Sequence, residues 1–154
     1  IFKSMVEEFK SKGKLDIQSI ETKDIFKAED QNKVIFRDYL NFLEGAKTRL
    51  KNIHWGEEDN SKHIYLDALS DEVSDFEDKV AEAAQSGFGR FKDGEIVGEE
   101  IDVNDPVEMV DLLFERTKDL RGTLAEDMDY SGEISWIDDF MANLKQSKYR
   151  LQMH

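Results

Sequence analysis

The chain of 154 residues has no cysteine and a single proline. Without cysteine it can form neither a disulfide framework nor a thiolate metal site, and a cytoplasmic location is expected. No run of about 18 apolar residues occurs, so we expect no membrane-spanning helix. The N-terminus also lacks the apolar core of a secretory signal. Histidine is scarce, so any imidazole chemistry depends on three positions: His54, His63 and His154.

The charge balance is strongly acidic, with 35 acidic and 21 basic residues and a formal net charge of −14. Residues 1–27 carry six lysines against five acidic residues, so the rest of the chain carries −15. Such a body attracts cations and repels the phosphates of nucleic acids. We therefore do not expect the chain to bind DNA.

The spacing of apolar residues predicts an all-α chain with four long helices. Two precede a glycine-rich stretch between Gln85 and Pro106, and two follow it. Asp105 before Pro106 is typical of a helix start, with aspartate as the N-cap and proline in the first turn. Asp129 to Gly132 is predicted to be the turn between the last two helices. Four helices with one long central crossover are typical of the ferritin-like four-helix bundle.

The predicted domain organisation has two parts. Residues 31–154 form the ferritin-like bundle, and residues 1–30 form an N-terminal extension that contains a short amphipathic helix. Apolar residues recur at helical spacing near the start of that extension: Phe2, Met5, Val6 and Phe9.

The second predicted helix carries four potential metal ligands on one stripe. Viewed down the helix with His63 at zero, Asp67 falls at about 40°, Asp78 at about 60° and Glu82 at about 100°. The apolar side chains of the same helix cluster near 260°: Leu66, Leu69, Val73, Phe76 and Val80. The candidate ligands therefore face away from the core, and imidazoles with carboxylates suit iron, zinc or manganese.

The four ligands form two pairs that one metal ion cannot bridge within a single chain. Asp67 and Asp78 are 11 residues apart, which is about 16 Å along a helix. The positions are symmetric about a point near residues 72–73, so an antiparallel copy would bring each pair opposite the other. The sequence therefore predicts two identical sites in a two-fold dimer.

These residues resemble the ferroxidase signature of the Dps-like miniferritins. The resemblance includes His54-Trp55, then His63 with Asp67 four residues later, then Asp78 with Glu82. It implies that His54, His63 and Asp67 of one subunit bind iron with Asp78 and Glu82 of the two-fold partner. It also implies oxidation of Fe(II) by hydrogen peroxide or oxygen, iron storage in a twelve-subunit shell, and protection from oxidative stress. Trp55 would lie near the iron as a one-electron donor.

One other interpretation stays open at this point, and a second is disfavoured. The first is a non-catalytic ferritin-like protein whose N-terminal segment joins it to a larger assembly, such as a viral or compartment shell. The second, the single-bundle site of larger ferritins, relies on Glu-x-x-His motifs. That motif is missing here, because Asn60 and Leu151 stand three residues before His63 and His154.

Overall fold

The computed structural model describes the backbone of residues 14–153 and the side chains of residues 31–153. The described part of the chain has four α-helices, one short 3-10 helix and no strand. The all-α prediction with four helices is therefore confirmed. None of the described helices combines the length and apolarity needed to cross a membrane. The elements in chain order are α1 (Lys14–Gly56), α2 (Asn60–Phe88), α3 (Pro106–Leu124), the 3-10 helix (Met128–Tyr130) and α4 (Ser131–Gln152).

The chain divides into two compact units, residues 1–35 and residues 36–154. For the first unit the structure describes the helical backbone from Lys14 onward. The amphipathic helix predicted near the N-terminus (Phe2, Met5, Val6 and Phe9) lies outside the described residues. The second unit contains the rest of α1 together with α2, α3 and α4, and all the site residues discussed below belong to it.

Aspartate side chains set the starts of α2 and α3. Asp59 Oδ1 accepts a hydrogen bond from the Lys62 amide at 2.9 Å. Asp105 Oδ2 accepts one from the Glu108 amide at 3.0 Å, and Pro106 is the first residue of α3. An aspartate at this position satisfies an amide that has no partner within the helix. The helix start predicted at Asp105-Pro106 is confirmed.

The turn predicted at Asp129–Gly132 lies slightly earlier in the structure. Helix α3 ends at Leu124, and α4 already begins at Ser131. Asp127 Oδ1 accepts a hydrogen bond from the Asp129 amide, so Asp127 organises the break between the helices. Asp129 and Tyr130 do lie in the break between the helices, but Ser131 and Gly132 belong to α4, because serine and glycine are tolerated in the first turn of a helix.

One layer of the core receives a side chain from each helix. Phe76 of α2 stacks on Phe140 of α4 with ring centroids 3.9 Å apart. Tyr39 of α1 meets the edge of Phe76 at 6.3 Å, and its hydroxyl lies 2.7 Å from Thr117 Oγ1 of α3. Burying aromatic rings supplies much of a core's stability, and the tyrosine hydroxyl needs such a partner. The five apolar residues predicted to form the inner face of α2 are all buried: Leu66, Leu69, Val73, Phe76 and Val80.

The predicted irregular connection follows α2, and Asn41 of α1 holds its middle part. Asn41 Nδ2 donates to the Glu95 carbonyl at 3.0 Å. Asn41 Oδ1 accepts from the amides of Val97 at 2.8 Å and Gly98 at 3.1 Å. The Asn41 carbonyl accepts from the Glu99 amide at 2.8 Å. A single residue therefore satisfies four backbone groups that no helix or strand could satisfy.

Gly45 and Arg49 continue this contact along α1. The Glu99 carbonyl oxygen occupies the space that a Cβ atom on Gly45 would need. Arg49 Nε donates to the Ile101 carbonyl at 2.8 Å. Asn41, Gly45 and Arg49 lie four residues apart and so share one face of α1. We call these three residues the crossover face of α1.

Candidate metal site at the corner between α1 and α2

A different face of α1 carries polar side chains toward α2. These residues follow a 3-4-3 spacing, so they line one side of the helix. Their partners on α2 pair with them in reverse order, because the two helices are joined by a short turn and run antiparallel. We call the whole set the polar seam: Glu44, Lys47, Lys51 and His54 of α1 with His63, Asp67 and Glu77 of α2.

The two histidines form a reciprocal pair at the corner end of the polar seam. Their rings stack with centroids 3.8 Å apart and an interplanar angle of 26°. His54 Nδ1 lies 2.8 Å from the His63 carbonyl oxygen, and His63 Nδ1 lies 2.8 Å from the His54 carbonyl oxygen. A carbonyl oxygen can only accept, so each Nδ1 carries a hydrogen and donates it. In the neutral ring, each Nε2 therefore keeps its lone pair.

This arrangement suits metal ligation. Histidines that bind metals usually donate their second ring nitrogen to a backbone carbonyl or a carboxylate, which fixes the tautomer and the orientation of the ring. His54 is only 9% exposed, and its Nε2 has no hydrogen-bond partner among the described residues. The nearest charged group to His54 Nε2 is Asp67 Oδ1, at 3.7 Å. The corner thus places Nε2 of a largely buried histidine near a carboxylate.

Asp67 already has a cationic partner in this structure. Lys51 Nζ donates to Asp67 Oδ1 at 3.1 Å. This hydrogen bond and the lysine charge lower the pKa of Asp67 below its ordinary value, so the group is a carboxylate at neutral pH. Two ligands of one tetrahedral metal ion, each about 2.1 Å from it, lie roughly 3.4 Å apart. His54 Nε2 and Asp67 Oδ1 are close to that separation, although Lys51 occupies the same carboxylate oxygen.

The other two predicted ligands lie farther along α2. Asp78 and Glu82 are both exposed. Since α2 is continuous from Asn60 to Phe88, the 11-residue step from Asp67 to Asp78 corresponds to about 16 Å. Within the described part of the chain, no group of three or more histidine, aspartate or glutamate side chains could hold a metal ion. The structure brings His54, His63 and Asp67 together and leaves Asp78 and Glu82 apart from them.

Trp55 follows His54 at the same corner. Its side chain is 71% exposed, which is unusual for the largest apolar side chain. Its predicted role as an electron donor near iron therefore concerns a residue on the surface of the single chain.

No protein-family model, curated protein or solved structure matches the chain. The comparisons therefore neither support nor replace the resemblance to the Dps-like miniferritins.

The inner end of the polar seam was not predicted from the sequence. Lys47 Nζ lies 3.1 Å from Glu44 Oε2 and 3.0 Å from Glu77 Oε1. Glu77 is 8% exposed, and burial, together with the neighbouring Glu44, raises the pKa of Glu77 to about 7. Interaction with the neighbouring Glu77 carboxyl group, together with Lys47, lowers the pKa of Glu44 below its ordinary value. The Oε2 atom of Glu77 is buried and has no hydrogen-bond partner within the described part of the chain, and an unpaired buried carboxylate oxygen favours the protonated form of the group.

A sequence signal for the inner end exists in the spacing of α1. The polar stripe of α1 has the 3-4-3 spacing that usually identifies the apolar face of a helix. Its members are Glu44, Lys47, Lys51 and His54. Glu77 lies between apolar positions of α2, so its carboxyl group is buried when these apolar residues face the core. Applying the helical wheel to both helices would have found the seam.

Proposed function

We propose that the chain binds iron at sites shared by two subunits and oxidises Fe(II) to Fe(III), with storage of the ferric product. His54, His63 and Asp67 of one subunit would bind iron together with Asp78 and Glu82 of the partner subunit. The observation that supports this proposal is the reciprocal histidine pair. Both imidazoles donate Nδ1–H to a backbone carbonyl, which leaves Nε2 as the ligand atom of each ring.

The ligand set suits the proposed chemistry. Neutral imidazoles bind Fe(II) without adding negative charge, and carboxylates stabilise the Fe(III) that forms. Two Fe(II) ions give one electron each to one hydrogen peroxide molecule, which takes up two protons and leaves as two water molecules. Oxygen is the other oxidant that the resemblance implies, and zinc or manganese could occupy the same ligands. The twelve-subunit shell and the role of Trp55 belong to this proposal.

Lys51 adds a condition to the proposal. An iron ion bound to His54 and Asp67 would lie close to the Lys51 ammonium group, which now binds the same carboxylate oxygen. The lysine must therefore move away from Asp67 when iron binds. At 39% side-chain exposure, Lys51 can turn into solvent at small cost.

The first test measures ferric absorbance after anaerobic protein is mixed with Fe(II) and then with hydrogen peroxide. Wild-type protein is expected to oxidise iron faster than buffer. The single variants His63→Ala and Asp78→Ala are each expected to reduce the rate to that of buffer. Glu115→Gln, on the exposed surface of α3, is the control and should behave as wild type.

A mixing experiment tests whether the site is shared between subunits. In a dimer of one His63→Ala chain and one Asp78→Ala chain, one site lacks both ligands and the other site is intact. Random mixing therefore restores about one quarter of the wild-type activity, since half of the dimers are mixed and each has one intact site. Two inactive variants that stay inactive after subunit exchange would contradict the shared site. Wild-type oxidation no faster than buffer would favour the non-catalytic assembly protein.

A further inference from the structure

One carboxylate oxygen at the corner between α1 and α2 has two neighbours on α1. Lys51 Nζ donates to Asp67 Oδ1 at 3.1 Å, and His54 Nε2 lies 3.7 Å from the same atom. Lys51 and His54 are three residues apart, so their side chains leave the same face of α1. The lysine ammonium group and a metal ion bound to the imidazole would therefore meet at a single oxygen atom.

The contact between His54 and Asp67 needs a positive charge. In the neutral ring the Nδ1 hydrogen is donated to the His63 carbonyl, so Nε2 has no hydrogen to give to the carboxylate. Two electron-rich atoms then lie near each other, and neither can donate to the other. Lys51 supplies the positive charge that stabilises this arrangement.

A metal ion and the Lys51 ammonium group cannot both stay at this oxygen. An ion bound to Asp67 Oδ1 at about 2.1 Å would lie within roughly 5 Å of the lysine nitrogen. Two positive charges at that separation repel each other strongly. The side chains of Lys51 and Asp67 are 39% and 50% exposed, so the lysine can turn into solvent without disturbing the core. Metal binding and the ion pair therefore exclude each other.

We propose that Lys51 is an internal competitor of the metal ion and limits the affinity of the site by occupying Asp67. This inference rests on the proposed function and deepens it, because it names the group that regulates metal binding. Removing a half-exposed ion pair changes the affinity of its competitor by up to about fivefold, the equivalent of roughly 1 kcal/mol. A second consequence concerns the amine, which passes from the carboxylate to solvent when metal binds.

Lys51→Met tests the competition, because methionine keeps much of the length of the side chain and removes its charge. Isothermal titration calorimetry of the full chain with Co²⁺, at constant ionic strength, should give a dissociation constant about fivefold below that of wild type. Visible absorption of Co²⁺ on the same samples distinguishes ions bound to imidazole from ions held loosely by the acidic surface. Lys51→Arg keeps the charge and the ion pair, so its affinity should not exceed that of wild type.

Two comparisons separate competition at Asp67 from a general effect of charge. Lys62 precedes His63 and makes no ion pair within the described residues. Because salt screens a charge that has no direct contact, Lys62→Met should stay within about twofold of the wild-type affinity. In the Asp67→Asn background, Lys51→Met should bring no gain, because the competitor has lost its target. An equal gain in both backgrounds would overturn the proposal.

A chemical measurement follows the lysine itself. Acetylation of amines in the full chain, followed by mass spectrometry, should modify Lys51 faster in Co²⁺ than in EDTA. The rate at Lys62 should be the same in both. Equal rates at Lys51 would mean that the ion pair survives metal binding, and the competition would be wrong.

The possible results distinguish this inference from the proposed function. If the wild type binds Co²⁺ through His63 and Asp78, and Lys51→Met binds it equally well, the competition is overturned and the shared site stands. If only Lys51→Met binds Co²⁺, the competition is supported and the proposed function of the wild type fails. If neither protein binds Co²⁺, both proposals fail.

Discussion

Helix α1 uses two faces in two chemically different ways. On the crossover face, Asn41 and Gly45 hold residues 95–101 through backbone amides and carbonyls, and Arg49 adds a donor that stays charged at any ordinary pH. On the polar seam, α1 meets α2 through carboxyl groups, lysines and imidazoles. The two faces belong to the same helix, yet only the polar seam contains a carboxyl group, that of Glu77, whose pKa is raised to about 7.

Because of this difference, we expect the two faces of α1 to respond differently to changes in pH. Hydrogen bonds between neutral backbone groups do not change with pH, and salt affects them little. Carboxyl groups change charge with pH, and the raised pKa of Glu77 brings this change close to neutral pH. We therefore expect the crossover face to stabilise the fold to the same extent at every ordinary pH. The contribution of the polar seam should change with pH. The four predictions below test this division by the change in the free energy of unfolding.

The largest effect is expected for Gly45→Ala. The new Cβ atom would overlap the Glu99 carbonyl oxygen, so the crossover must move away from α1. We expect a loss of about 2–3 kcal/mol in the free energy of unfolding, independent of pH. Urea denaturation at pH 5.5 and pH 8 measures it. Gly122→Ala is the matched control, because nothing lies near its Cβ position, and it should be neutral or stabilising. A small loss for Gly45→Ala would mean that the crossover is loosely held.

A smaller loss is expected for Asn41→Ala. The variant loses the hydrogen bonds to Glu95, Val97 and Gly98. Water can reach part of this site, so we expect a loss of about 1–2 kcal/mol. Hydrogen exchange should show faster exchange of the Val97 and Gly98 amides, with the amides of α2 unaffected. Uniformly faster exchange over the whole chain would contradict a local role for Asn41.

Glu77→Gln is expected to change the pH dependence of stability. Glu77 has a folded pKa of about 7 against an ordinary value of 4.5. Because the folded value is raised, its contribution to stability is complete below about pH 4.5 and is lost as the pH rises through about 7. The glutamine keeps the shape without the charge. The variant should be close to wild type near pH 5 and exceed it at pH 8 by about 1–2 kcal/mol, since one pKa unit corresponds to about 1.4 kcal/mol.

Denaturation curves at several pH values between 5 and 8.5 test the Glu77 prediction. Glu115→Gln, at an exposed position of α3, is the control and should follow wild type at every pH. A constant difference between Glu77→Gln and wild type across this range would show that Glu77 does not titrate there.

The smallest change in stability is expected for Asp67→Asn. Asp67 is half exposed, and ion pairs in such positions contribute little. The affinity of the variant protein for Co²⁺ should nevertheless be about tenfold or more below that of wild type, because a proposed ligand is lost. Denaturation and calorimetry on the same preparation compare the two effects. A loss of stability as large as that of Asn41→Ala, with unchanged Co²⁺ affinity, would make Asp67 a structural residue.

Much of the fold could be predicted from local patterns. The helix start at Asp105 and the inner face of α2 depend on neighbouring residues alone, and both are confirmed. The turn before α4 was misplaced, because Asp127 and Asp129 are equally plausible capping residues in the sequence. Only the hydrogen bond to Asp127 distinguishes them.

The site was harder to predict because it depends on two helices at once. The position of His54 and His63 at one corner follows from the short turn between α1 and α2, and the resemblance implied that the two residues lie together. Lys51 and Glu77 were missed, since the phase of α2 alone does not show what α1 places opposite each residue. Their pairing depends on the register between the helices, which the packing of the core sets.

The reciprocal bonds between His54 and His63 have a consequence for the entropy of binding. Each ring is held by the main chain of the other residue, so neither ring is free to rotate before a ligand arrives. A ligand that binds these nitrogens would not have to restrict the rotation of two side chains, a cost of roughly 0.5–1.5 kcal/mol for each flexible side chain at an interface. In the folded corner, the orientation of both imidazole rings is therefore fixed before any ligand binds.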